Sequence, residues 1–186
     1  MAFDALIGSE ALRERLATDV REGKLSHAYI IEGAHGCGKR TLAIQLCAAL
    51  ACTNRQSGRI PCGECLACRK VMEGKCPDVI RIGRGTKASI GVDDVRFLRA
   101  DVLTPPNDLD SKIYIIEDAD TMTTQAQNAL LLTLEEPPSY VLFLLLCQSA
   151  TAMLETIRSR APKVTLCPVP IDDIRAHLMA RERAFA

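Results

Sequence analysis

Apolar positions fall along the chain in two patterns. Over 10–22 (EALRERLATDVRE) they fall at Leu12, Leu16 and Val20, a spacing of four that predicts a helix. Over 27–32 (HAYIIE) they run together, as in a strand covered on both faces. The two patterns then alternate. Helices are predicted over 38–51 (GKRTLAIQLCAALA), 92–102 (VDDVRFLRADV) and 121–136, the last stopped by Pro137 and Pro138. Strands are predicted over 79–82 (VIRI), 112–117 (KIYIIE), 141–147 (VLFLLLC) and 163–167 (KVTLC). The clearest turn is 104–111 (TPPNDLDS), and no internal repeat interrupts the order. Near-continuous apolar strands between helices predict an α/β fold, a mostly parallel sheet flanked by helices on both faces. A final helix beginning over 171–181 has little left to pack against, which predicts that the chain stops inside a following domain.

Composition narrows the function. With 48% hydrophobic residues in 186, the chain can bury a sizeable core. Charges balance at 23 against 23, so no global basic field marks a nucleic-acid binder. Trp is absent and aromatics are 4%, which argues against a base-stacking platform. No apolar run has the length of a membrane span. The N-terminus is charged from Asp4 and lacks a signal-peptide core, so a cytoplasmic location and no membrane partner are expected. Nine cysteines are an odd number, and a reducing compartment disfavours disulfides. Metal ligation plus buried free thiols accounts for them better.

Between the predicted strand 27–32 and helix 38–51 lies GAHGCGKRT, Gly33 to Thr41. It follows the phosphate-loop pattern G-x-x-x-x-G-K, in which backbone N–H groups and a helix N-terminus cradle anions. Gly33, Gly36, Gly38, Lys39, Arg40 and Thr41 are the candidate nucleotide-binding residues. Lys39 is placed to reach the β- and γ-phosphates. The next position should carry the hydroxyl that ligates magnesium, and here it is Arg40, with a hydroxyl one residue late at Thr41. Ile113 to Asp120 (IYIIEDAD) supplies acids at a strand end, Glu117 and Asp118. They stand in the reverse of the usual Asp-Glu order, which gives the candidate base a shorter arm. Phosphoryl transfer depends on positioning. ATP or ADP binding is therefore compatible with this loop but weak, magnesium is disfavoured by Arg40, and efficient hydrolysis is not expected.

Cys62, Cys65 and Cys68 (CGECLAC) form a C-x2-C-x2-C run. Thiolates so spaced can converge on a tetrahedral structural zinc, which takes a fourth ligand. Cys52, at a predicted helix end before a polar loop, is favoured for it, ahead of Cys76 and of Cys47, which lies within the helix pattern. Iron–sulfur ligation is the chemical rival. Cys37, Cys147 and Cys167 read as free thiols.

Four stretches together resemble one family: HAYIIEGAHGCGK, the Cys52 plus CGECLAC cluster, KIYIIEDADTMTTQAQNALLLTLEEPP and TIRSRAPKV. The chain is similar, from Phe3 to about His177, to bacterial DNA polymerase III clamp-loader subunits of the AAA+ type. The resemblance implies a RecA-like P-loop domain over 1–168, with a zinc module inserted at about 52–75, and the start of a helical lid over 169–186. It implies zinc on Cys52, Cys62, Cys65 and Cys68. Arg40 and the Glu117-Asp118 order are closer to the delta-prime stator than to the gamma/tau motors. Ser159-Arg160-Ala161 matches the family's Ser-Arg-Cys motif in its first two residues, which makes Arg160 an arginine finger for a neighbour's ATP. Cys147 and Gln148 fall at the family's polar sensor position. Arg96 and Arg99 lie on a helix that would face DNA, although two solvated arginines explain them as well. The implied partners are the gamma/tau and delta subunits, the sliding clamp and primer-template DNA. A gamma/tau-type motor is the first alternative, and an unrelated zinc-containing P-loop kinase the second.

Overall fold

The computed structural model describes residues 3–55 and 58–183. The outermost residues of the predicted domains, 1–2 and 184–186, and residues 56–57 of the predicted zinc module lie outside the described residues.

Five strands, β1 (Ala28–Glu32), β2 (Val79–Ile82), β3 (Lys112–Ile116), β4 (Val141–Cys147) and β5 (Lys163–Thr165), form one sheet in the order β2-β3-β4-β1-β5. Every pairing is parallel. A parallel sheet needs crossovers long enough to return the chain, and helices supply most of them. These are α1 (Glu10–Glu22), α2 (Lys39–Ala51), α3 (Leu66–Met72), α4 (Val92–Val102), α5 (Thr124–Glu135), the short α6 (Glu155–Arg158) and α7 (Ile171–Arg183).

The period of two along each strand divides the core into two layers. Tyr29, Ile31, Ile113, Ile115, Leu142, Leu144 and Leu146 face α1, α2 and the cysteine module. Ile30, Tyr114, Ile116, Phe143 and Leu145 face α4 and α5 on the other side. Tyr114 and Phe143, paired in register on β3 and β4, stack with ring centroids 5.4 Å apart.

Apart from one-residue shifts at element ends and the short α6, which the pattern did not mark, the differences from the hydrophobic pattern are at α5, β5 and α3. Helix α5 starts at Thr124, three residues later than predicted from apolar spacing. The Thr123 hydroxyl caps it by accepting from Ala126 N, and a separate 3₁₀ turn covers Ala119–Thr121. Strand β5 ends at Thr165, because only Lys163–Thr165 pair with β1. Helix α3 inside the cysteine module was not predicted, since its seven residues are too few to show a period.

Buried polar groups fix the connections. Asp78 accepts from the backbone N–H of Asn107 (2.7 Å), Asp108 (2.6 Å) and Leu109 (2.8 Å), which anchors the predicted turn before β3. The Gln127 amide on α5 accepts from Leu154 N at 2.7 Å and donates to Met122 O at 3.1 Å. This holds the segment that leads into α6 and Arg160.

Candidate nucleotide site and metal centre

Parallel α/β sheets present ligands at the carboxyl ends of their strands, where the order reverses. Here β1 lies between β4 and β5, and the loop from Gly33 to Thr41 leaves its end. Gly36 (φ +80°) and Gly38 (φ +94°) are left-handed, a conformation that glycine adopts without a side-chain penalty. Gly33 has a different reason. A Cβ there would lie 2.6 Å from Cys37 Sγ and 2.7 Å from the Leu166 carbonyl.

Two chambers flank the loop and share His35, Gly36, Gly38 and Thr41 as walls. One, of about 410 Å³, is mostly apolar, with Leu6, Ile7, Cys37, Val169 and Ile174. The other, of about 350 Å³, is polar and carries Lys39, Arg40, Glu117, Asp118 and Gln148. All the candidate loop residues but Gly33 therefore meet the two acids at one cavity. Lys39 Nζ folds back to donate to the carbonyls of Gly33 (2.6 Å) and Ala34 (2.8 Å).

The acids are not free. Arg40 pairs through Nη2 with Glu117 Oε2. Arg81, on β2, donates to the other oxygen, Oε1, from Nη2 (2.7 Å) and Nε (3.0 Å). Arg84 donates to Asp118 Oδ2 at 3.2 Å. Asp118 has φ +52°, a left-handed turn that Asp tolerates better than most residues. Asp120 accepts from Gln148 N (2.9 Å) and Ser149 N (3.4 Å), tying the end of β4 to that of β3. Glu32, ending β1, accepts from Ala150 N, and this bond together with Lys163 holds its carboxyl below the usual range.

Sequence reasoning missed Arg81 and Arg84. Their only trace is two arginines at and just after the short strand VIRI, whose facing strand was not known. It also missed the apolar chamber, whose walls come from both ends of the chain. Cys147 ends β4, as expected, but does not line the polar chamber. It is buried in the core and burial, with the Asp120 and Glu32 charges, pushes its thiol up to about 12. Its neighbour Gln148 is the residue that lines the polar chamber.

The four cysteines converge. The sulfurs of Cys52, Cys62, Cys65 and Cys68 all lie within 4.8 Å of one another, and those of Cys62 and Cys68 are 3.9 Å apart. Tetrahedral zinc with Zn–S near ~2.3 Å implies S···S near ~3.8 Å, so the donor set fits with a small contraction. Cys62 Sγ accepts from Cys65 N and Cys65 Sγ from Cys68 N, each at 3.4 Å. Burial raises the Cys65 thiol, but hydrogen bonds from Cys68 and Thr53 outweigh it and bring the value down to about 6. Such bonds favour thiolate, the form that binds metal. Cys76 and Cys47 stand outside the cluster, buried in the same core.

Arg160 lies away from both chambers. Its guanidinium donates to Glu135 Oε1 at the end of α5 (2.8 Å) and to Thr156 O (2.9 Å), with the side chain 35% exposed. On α4, Arg96 pairs with Asp93, and Arg96, Phe97 and Arg99 are all exposed. Among the described residues no helix is long and apolar enough to cross a membrane.

A central phosphate loop, acids ending β3 and an all-parallel sheet in this order define a P-loop domain of the AAA+ class. The profile of the family described as "DNA polymerase III, delta subunit" matches residues 8–170, and the chain belongs to that family. DNA polymerase III subunit tau of Bacillus subtilis is 34% identical over 161 residues, 87% of this chain and 28% of that protein. The Escherichia coli subunit tau is 33% identical over 176 residues, 95% of this chain and 27% of that protein. The chain thus spans little more than a quarter of the length of these relatives. Among solved structures, a DNA polymerase III gamma subunit-related protein from Thermotoga maritima superposes with TM-score 0.61 and 27% identity. The match covers 84% of this chain and 47% of that one. The RuvB Holliday junction branch migration motor of the same organism gives TM-score 0.59 at 14% identity, covering 95% and 51%, a likeness of fold alone. Family membership leaves the unrelated P-loop kinase without support.

Proposed function

We propose that this protein is a clamp-loader subunit of a bacterial DNA polymerase III that acts as a delta-prime-like stator. It helps place the sliding clamp on primer-template DNA alongside gamma/tau and delta subunits. Its own nucleotide site does not turn over. The observation that carries this is the ion-pair chain Arg40–Glu117–Arg81 across the polar chamber. The acid that would organise a metal's water has both oxygens taken by guanidiniums. At about 4 Å each unit of like charge costs on the order of 4 kcal/mol at an effective dielectric near 20, less where water screens it. A divalent ion beside Arg40 meets that repulsion twice over.

In this reading residues 1–168 form the nucleotide-type domain. The module at about 52–75 is held by zinc on its four cysteines, and residues 169–186 begin a helical lid. Arg160 serves in trans. It has to leave Glu135, a half-exposed pair whose loss costs little, to reach a phosphate on the adjoining subunit. Arginine fingers contribute about 10³–10⁵ in rate where they complete a site.

A second reading, a gamma/tau-type motor, is favoured by the names of the relatives, which are tau and gamma subunits. Hydrolysis separates the two. The full-length protein, purified alone, is expected to show negligible magnesium-dependent ATP turnover while co-purifying with the other loader subunits. Sustained turnover that Lys39→Ala removes would establish the motor instead.

A further inference from the structure

We propose that a groove at the amino ends of the strands, between the cysteine module and the turn before β3, docks an extended basic segment of another protein. It shares no wall with the two chambers at the loop and does not depend on what the loop does.

The groove is made of three joined hollows. The middle one, of about 530 Å³, is larger than either loop chamber. It shares Thr53, Ala67, Asp108 and Leu109 with a socket of about 290 Å³. It shares Leu50, Arg55 and Asp110 with a third hollow of about 300 Å³. The socket is mostly apolar, and Leu66, 64% exposed, and the buried Cys76 both line it. The third hollow lies where β1, β3 and β4 begin, with His27, Ser111 and Tyr140 in its wall. A compact ligand would fill one hollow, whereas an extended chain can follow all three.

The polar groups indicate what that chain carries. Lys70 and Asp108 neutralise each other at 2.8 Å. The Arg55 guanidinium is taken up by the Leu50 and Cys52 carbonyls at the end of α2, a helix with no basic residue in its last turn. Asp110 remains, an exposed carboxylate with no partner among the described residues. A helix C-terminus and a free carboxylate both favour a cation. The occupant therefore brings a Lys or Arg to Asp110 and a bulky apolar side chain to the socket, and the same charges repel a nucleic-acid backbone. In the third hollow His27 keeps a buried Nε2 with no hydrogen-bond partner among the described residues. Such a group is costly to leave unmet, and a peptide backbone offers a donor and an acceptor at nearly every residue.

Selection on the full-length protein from a displayed library of random peptides of about twelve residues, ~40 Å when extended, tests this. Enriched peptides are expected to combine Lys or Arg with Leu, Ile, Met or Phe. A synthetic copy of the most enriched one should bind more weakly as salt is added. Asp110→Lys should weaken its binding by about tenfold or more and Leu66→Ser by about fivefold or more. Both are exposed changes that should leave the Tm near that of wild type. Asp172→Lys, the same charge change on the exposed face of α7, should leave the Kd within about twofold. No enrichment, enrichment of acidic peptides, or a Kd unmoved by Asp110→Lys would overturn the proposal. Equal weakening by Asp172→Lys would reduce the attraction to net charge and overturn it too. So would displacement of the peptide by a DNA oligonucleotide, or self-association that Asp110→Lys abolishes, which would make the occupant a second copy of this chain.

Discussion

Single side chains in this domain hold charge in places where water is scarce. Lys112 is buried at the start of β3, and its ammonium donates to the Asp101 and Thr104 carbonyls and pairs with Asp101 Oδ2 at 3.0 Å. Tyr114 donates its hydroxyl to the same carboxylate oxygen at 2.7 Å. Burial pushes the Asp101 carboxyl up, but Tyr114 and Lys112 more than reverse this and its pKa falls below the ordinary value. A folded pKa below the unfolded one means the contribution is complete above about pH 4 and is lost as pH falls through the folded value. Asp101→Asn is therefore expected to lower stability by about 1–3 kcal/mol at pH 7. In urea titrations the gap between variant and wild type should narrow below about pH 4. A gap that widens on acidification would contradict this network.

At the scale of elements, the cysteine module is the piece with its own glue. Cys52 caps the end of α2 and the other three cysteines bracket the start of α3, so a metal on the four would clip two helices together. The protein is expected to carry one zinc per chain and no visible iron–sulfur absorbance. Cys52→Ser should lose the metal and lower the Tm, while Cys76→Ser keeps it. Metal loss from Cys76→Ser alone would move the fourth ligand. The elements themselves were largely legible in the chain. Near-continuous apolar runs are imposed by a sheet covered on both faces and period-four spacing by its helices, and the runs marked every strand. What stayed hidden was decided by capping and by contacts between segments far apart in the chain. Thr123 set the start of α5 by capping, overriding apolar spacing. Arg81 and Arg84 acquired meaning only when β2 came to lie beside β3, and Leu6 and Ile174 only when both chain ends met at the loop. The candidate site was legible as motifs, not as an ion-pair network.

The whole molecule couples two faces. One carries the loop, its acids and the two chambers at the carboxyl ends of the strands. The other presents Arg160, tethered to α5 through Glu135 and positioned by the segment that Gln127 fastens. On the account given, the first face is retained for binding and position, and the second is offered to a neighbour. The clamp- and DNA-stimulated ATPase of the loader, reconstituted with the full-length protein as wild type, Arg160→Ala or Lys39→Ala, tests that division most directly. Arg160→Ala should assemble normally and reduce the stimulated rate, by less than the full effect of a finger because the other sites keep their own, and Lys39→Ala should change it less. An unchanged rate with Arg160→Ala, together with its loss with Lys39→Ala, would contradict the account.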